Sequence, residues 1–227
     1  PLTVPARATC HAVRISSQVS MAIAGKSLKL GRSFVNSAAL HKPGQLTASC
    51  AALTQKGPSE AEHPMQPTTH ALIAIDIQND FCPGGTLATD RGDEVARRIG
   101  EYQASHGTNY AHIVATQDWH IDPGSHFSDT PDFVDSWPVH CVAGSEGAAM
   151  HEDVDTGTIE AYFRKGEYTA AYSGFEGAAD GVGMNDWLKE RGVEKLDVVG
   201  IATDHCVRAT ALDALEDAER AMREAER

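Results

Sequence analysis

The chain has 227 residues, enough to bury a substantial core in one or two domains, and 41% of them are hydrophobic. Its net charge of −13 argues against general nucleic-acid binding, which needs a basic surface. No apolar run approaches the roughly 18 residues that a membrane span requires, so no membrane partner is expected.

The charge is unevenly spread. Residues 1–59 hold no Asp or Glu but carry Arg7, Arg14, Lys26, Lys29, Arg32, Lys42 and Lys56, and all 32 acidic residues come later. This break predicts a boundary near residue 70. Residues 1–70, rich in Ser, Ala and Thr, are expected to be a disordered extension. They read either as a transit-peptide-like leader or as an upstream stretch wrongly joined to the coding region. Residues 71–227 are the expected folded domain. Five irregularly spaced cysteines (Cys10, Cys50, Cys82, Cys141, Cys206) suit free thiols in a reducing compartment better than a disulfide framework. The expected location is therefore cytoplasmic, or organellar if the leader is a genuine transit peptide.

The near-continuous apolar run Ala71–Ile77, interrupted only by Asp76, predicts a strand buried on both faces. Asp93–Ala104 predicts a helix with Val95, Ile99 and Tyr102 along one face, and His112–Thr116 a second strand. A long loop rich in Asp, Pro, Gly and Ser follows, from Asp118 to about Asp155, longer than compact domains hold without a functional reason. Thr158–Lys165 predicts a third strand, Asn185–Arg191 a helix stopped by Gly192, and Leu196–Ile201 a fourth strand. A long amphipathic helix is expected from Val207 onward. Strands alternating with helices predict an α/β fold, a single three-layer domain with a mostly parallel sheet flanked by helices on both faces.

In such sheets chemistry collects at the carboxyl ends of the strands, where Asp76, Asp118, Lys165 and Cys206 all fall. Cys206 sits at a strand-to-helix turn, where helical N–H groups and a neighbouring Lys165 ammonium would favour the thiolate. Asp76 ends an otherwise apolar strand, either to cap the Gln78-Asn79-Asp80 turn or to act as a general base beside the sulfur. Asp118 and His120 lie two apart, and the Asp122-Pro123-Gly124 turn can fold His126 back towards them, with His140 following. One carboxylate and three imidazoles suit one divalent metal ion: zinc, iron or manganese. Cys82 and Cys141 read as small hydrophobes beside functional neighbours, and His106 and His151 as ordinary solvated histidines.

These segments together resemble the nicotinamidase branch of the isochorismatase-like cysteine hydrolases. The resemblance rests on Asp76-Ile77-Gln78-Asn79-Asp80-Phe81-Cys82-Pro83-Gly84-Gly85, on Thr116-Gln117-Asp118-Trp119-His120 through Phe127, and on Trp137-Pro138-Val139-His140-Cys141. It continues through Arg164-Lys165-Gly166, Tyr172-Ser173-Gly174-Phe175 and Gly200 through Val207, in order and spacing from about residue 71 to 216. It implies a catalytic triad of Asp76, Lys165 and Cys206, and metal ligation by Asp118, His120, His126 and His140. It further implies a cis peptide between Ile201 and Ala202, an oxyanion hole from the N–H groups of Ala202 and Cys206, and a pyridine ring sandwiched by Phe81 and Trp137 with Tyr172 and His205 nearby. The implied activity is hydrolysis of nicotinamide to nicotinate and ammonia through a cysteine thioester, in NAD salvage. The implied substrates are nicotinamide and pyrazinamide-like carboxamides.

Two rival readings remain at this point. One is an amidohydrolase of the same superfamily acting on a carbamoyl or ureido compound, which the Asp-x-His and later histidines argue against. The other is a truncated, inactive fragment. The resemblance implies one more strand after the helix that follows Cys206, whereas the chain reads Asp213-Ala214-Leu215-Glu216-Asp217-Ala218-Glu219-Arg220 and ends at Arg227. A missing last strand would bare a sheet edge and invite pairing with another chain, so a homo-oligomer is one expected outcome.

Overall fold

A computed structural model of the chain describes residues 69–225. The expected extension over residues 1–70, with Cys10 and Cys50, lies almost wholly outside the described residues. No described helix is long and apolar enough to cross a membrane.

The strands are β1 (His70–Ile75), β2 (His112–Asp118), β3 (Tyr162–Lys165), β4 (Ala178–Ala179), β5 (Val182–Gly183) and β6 (Lys195–Gly200). They form one sheet in the order β5-β4-β3-β2-β1-β6. The four longer strands run parallel, and the two short ones are antiparallel. Because side chains alternate across a strand, β1 feeds both sides of the sheet. Ala71, Ile73 and Ile75 pack with Val114, Phe163, Met184, Trp187 and Leu188 on one side. Ala74 packs with Val95, Ala96 and Ile99 on the other. Helix α1 (Gly92–His106) therefore covers one face and α2 (Met184–Glu190) the opposite one. Helix α3 (Arg208–Ala225) shares a groove with α2 and β6, lined by Leu188, Leu196, Ala214 and Ala218.

The observed elements differ from expectation in three places. The third strand begins at Tyr162, not Thr158, because the Asp155 carboxylate caps a 3-10 turn over Thr156–Thr158 by accepting from Gly157 N–H. The short β4–β5 hairpin was not predicted; its strands are two residues long and leave no periodicity to read. The last helix begins at Arg208, after a π turn over Thr203–Val207. Among the described residues β6 lies at the edge of the sheet.

Gly200 shows how tightly β6 approaches β1. Its φ is 147°, and a Cβ there would lie 2.1 Å from the Ile75 carbonyl oxygen. Gly200→Ala is expected to destabilise the fold by roughly 3 kcal/mol through backbone strain and displacement of β1. Thermal unfolding against the wild type measures this.

Candidate active site

β1, β2, β3 and β6 are neighbours and end at the same side of the sheet, so residues distant in sequence meet there. Asp76 follows β1 with φ 46°, a turn that lifts the chain off the sheet. Its side chain is fully buried; Oδ1 accepts from Thr116 Oγ1 at 2.6 Å. The β2–β3 register sets Asp118 directly beside Lys165. The buried Lys165 Nζ donates to Asp118 Oδ1. It lies 2.9 Å from Asp76 Oδ2 and donates to Cys206 Sγ at 3.6 Å. Cys206 lies within the π turn, the kind of helical irregularity often found at functional sites. Thr210 pins that turn: its hydroxyl donates to the Cys206 carbonyl at 2.7 Å and accepts from Gly174 N–H at 2.8 Å.

The electrostatics follow from burial and this one cation. Burial and Asp118 raise the Asp76 carboxyl above the usual carboxylate range, against the opposing pull of Lys165 and the Thr116 hydrogen bond. Burial acts on Asp118 in the same direction, but Lys165 and His120 outweigh it and hold that carboxyl low. Lys165 is driven well above its ordinary value despite burial, by Asp118 and Asp76, so it stays an ammonium. The expectation that helical N–H groups and Lys165 would lower the Cys206 pKa and favour the thiolate is corrected. Burial, joined by the two carboxylates, pushes the thiol well above its ordinary value and outweighs the lysine charge. The sulfur rests protonated, with a raised carboxyl beside it to take the proton.

Next to the triad, His120, His126 and His140 bring ligand nitrogens within 4.8 Å of one another, and all three are buried. The Asp122-Pro123-Gly124 turn becomes a 3-10 turn over Gly124–His126 and carries His126 to 5.1 Å from His120, ring centre to ring centre. Nδ1 of His120 pairs with the Gly166 carbonyl at 2.6 Å and Nδ1 of His140 with the Pro138 carbonyl at 2.7 Å, which directs each Nε2 inward. Gly166, with φ 77°, is obligatory, since a Cβ there would lie 2.6 Å from the His120 ring. Nε2 of His120 and Nδ1 of His126 are buried without a hydrogen-bond partner. Burial and the neighbouring imidazoles push His126 down to about 4, and burial also lowers His140. Orphaned, converging ring nitrogens fit a metal ion. Asp118 Oδ2 lies 3.9 Å from His120 Nε2, and so completes an O/N donor set on the same side.

Triad and cluster open onto a cavity of about 980 Å³ lined by Phe81, Trp137, Tyr172, Ala202, His205 and Cys206, with Asp118, His126 and His140 at its wall. Trp137 Nε1 donates to Tyr172 Oη at 3.1 Å, and its ring meets His205 edge-on at 5.3 Å. The Ile201–Ala202 peptide is cis. The structure thus gathers every residue singled out in the sequence around one cleft: Asp76, Lys165 and His120 lie beneath it and the others at its surface.

The sequence of residues 70–218 matches the family described as the isochorismatase domain. The chain belongs to this family. Among curated proteins it is similar to the nicotinamidase/pyrazinamidase of Mycobacterium tuberculosis, 57% identical over 148 residues, covering 65% of this chain and 79% of that protein. Among solved structures it is similar to the pyrazinamidase of Pyrococcus horikoshii in complex with zinc (TM-score 0.55, 35% identity, 69% of this chain and 94% of that one). It is also similar to PnC1 from L. infantum in complex with nicotinate (TM-score 0.58, 35% identity, 67% and 77%). The family shares the α/β fold described above.

Several members of this isochorismatase-family site escaped sequence reasoning. Thr116 orients Asp76 and lies two residues before Asp118 on the same side of β2; a polar residue in a buried strand was the available signal. Asp80 accepts from Cys141 N–H at 2.7 Å and so fixes the chain just beyond His140. Cys82 and Cys141 are buried among Phe81, Val95 and Ile99, as small hydrophobes. Burial and the nearby carboxylates raise the Cys141 thiol well above its ordinary value.

Proposed function

We propose that this chain is a nicotinamidase that hydrolyses nicotinamide to nicotinate and ammonia through a thioester on Cys206. The observation that carries the reading is the contact set of one ammonium, two carboxylates and one thiol beneath an aromatic cleft, beside three converging imidazoles. The likeness to proteins named nicotinamidase and pyrazinamidase, and to PnC1 in complex with nicotinate, supports the substrate class. Phe81 and Trp137 supply apolar faces for a pyridine or pyrazine ring, with Tyr172 and His205 at its edge. Asp118, His120, His126 and His140 would hold a divalent ion, which would supply a Lewis acid at the cleft wall.

The steps then follow from the resting protonation states. Asp76 takes the Cys206 thiol proton as the sulfur attacks the carboxamide carbon, so a charged thiolate never has to be held in the buried site. The N–H groups of Ala202 and Cys206 are the proposed donors to the tetrahedral oxyanion, contacts whose loss costs about 10²–10³ in rate. Protonated Asp76 returns its proton to the nitrogen as the C–N bond breaks and ammonia leaves. Water then attacks the thioester as Asp76 takes its proton; Asp76 returns that proton to the departing Cys206 sulfur as the C–S bond breaks, and the acid leaves as nicotinate after losing its own proton to solvent. Lys165 offsets the negative charge of Asp76 and Asp118 throughout.

The decisive experiment is ammonia release from nicotinamide by the purified chain, with and without a metal chelator. Release that a chelator abolishes and added divalent metal restores is the expected result. Folded, metal-loaded protein that releases no ammonia would refute the reading. The chelated protein is also expected to unfold at a lower temperature, since the ion binds only the folded ligand set.

A pH prediction follows from Asp76. Only the ionised carboxylate accepts the thiol proton, and burial places its titration above the ordinary 3.8. Because the group must lose its proton to work, kcat/KM should rise with pH along an acid limb displaced upward. Thr116→Val removes the hydrogen bond that opposes this shift and should move the limb higher still. An unmoved limb in that variant would mean that another group titrates there.

A further inference from the structure

β1 and β2 pair normally as far as Ala74 and Ala115, and Asp76 N–H still reaches the Thr116 carbonyl at 3.3 Å. Beyond that point β1 has turned away at Asp76, and the backbone of Asp118 has no strand beside it on that side. Gln78 takes the place of the missing rung. Its Oε1 accepts from Asp118 N–H at 2.9 Å, and its Nε2 donates to the Asp118 carbonyl at 2.8 Å. The second Nε2 hydrogen goes to the Ala148 carbonyl at 2.9 Å, and the side chain is fully buried. One carboxamide thus reproduces both bonds of a β-ladder and ties the end of β2 to the loop at 146–150, where Asn79 and Asp80 N–H groups also bond.

We propose that Gln78 is the positioning residue that holds Asp118, and through it both the metal site and Lys165, at the point where the sheet opens to form the cleft. The proposal rests on the reading of Asp118 as metal ligand and triad neighbour. The Asp118 carboxylate has two tasks, with Oδ1 on Lys165 and Oδ2 towards His120. A carboxylate shared in this way tolerates little rotation of its backbone, and nothing else among the bonds found here grips both peptide groups of Asp118 from the β1 side.

The test compares Gln78→Met, which keeps the volume and removes all three hydrogen bonds, with Gln78→Glu, which keeps the acceptor for Asp118 N–H. Gln117→Met serves as control: Gln117 Nε2 donates to the same Ala148 carbonyl at 3.1 Å and makes no side-chain bond to Asp118. Zinc affinity is measured directly by competition with a chromophoric chelator, and nicotinamide turnover separately. Gln78→Met should bind zinc about 10–100-fold more weakly, the usual effect of losing a group that orients a ligand. Gln78→Glu should fall between it and the wild type, Gln117→Met should bind as the wild type does, and turnover should fall in the same order. A folded Gln78→Met protein with zinc affinity within about twofold of the wild type would overturn the proposal. So would an equal loss in Gln117→Met, or the failure of both Gln78 variants to fold, since either would make the role one of general stability. Because zinc affinity is read without substrate, these outcomes are separate from failure of the nicotinamidase reading, which would show as a wild type that binds zinc but releases no ammonia.

Discussion

Cys206→Ala is expected to lower ammonia release from nicotinamide by about 10⁴-fold or more, the scale on which removal of a nucleophile acts when the remaining groups have no substitute for it. Asp76 and Lys165 would remain in place, but neither can form the acyl intermediate. Cys206 belongs to the core cluster with Ile75 and Val207, but alanine removes only the one sulfur atom, which lies beside two carboxylates and an ammonium. The variant should therefore retain its metal and unfold no more than a few degrees below the wild type. Metal analysis, thermal unfolding and a coupled ammonia assay on the same preparation check all three. Turnover within about tenfold of the wild type would exclude the covalent route.

Lys165→Met should be the most damaging single change to both fold and activity. Among the described residues the Lys165 ammonium is the only lysine or arginine cation paired with Asp76 and Asp118, and all three side chains are buried. Removing one partner from such a cluster leaves buried carboxylates uncompensated, at a cost of roughly 3–5 kcal/mol. The sign of the pH dependence follows. Without the lysine, both carboxyls take up protons more readily in the folded state than in the unfolded chain, so folding stability is retained at low pH and lost as pH rises through their raised values. Unfolding midpoints of metal-free Lys165→Met should therefore fall as pH rises above the ordinary carboxylate range, more steeply than those of the wild type. Activity should fall most at low pH, where Asp76 without its lysine keeps its proton and cannot take that of the thiol. A variant as stable as the wild type well above the ordinary carboxylate range would show that the lysine does not balance these charges.

The elements that positioned the chemistry were those with long, uniform patterning. β1 and β6 read as apolar runs, α1 as a periodic face, and Gly192 as a stop, because burial on both sides of a sheet or on one face of a helix imposes composition directly. The β4–β5 hairpin and the late start of β3 were illegible. They depend on single hydrogen bonds, such as that from Gly157 N–H to Asp155, which compete with weak local preferences. The triad was legible as residue types at strand ends and the histidines by their spacing from Asp118 and the turn at 122–124; the gathering of the strand ends into one cleft followed from the parallel topology.

Other properties lay beyond any local pattern. That Cys206 rests as a thiol depends on how far burial exceeds the field of Lys165, a balance set by surroundings contributed by β1, β2 and β3 at once. That Gln78 serves Asp118, and Thr116 serves Asp76, depends on a register between strands some 40 residues apart. Residue order alone dictated which groups stand at the ends of which strands, because alternation and hydrophobicity are local. Tertiary packing alone decided their protonation and their partners, because desolvation and hydrogen bonding depend on atoms brought from elsewhere in the chain.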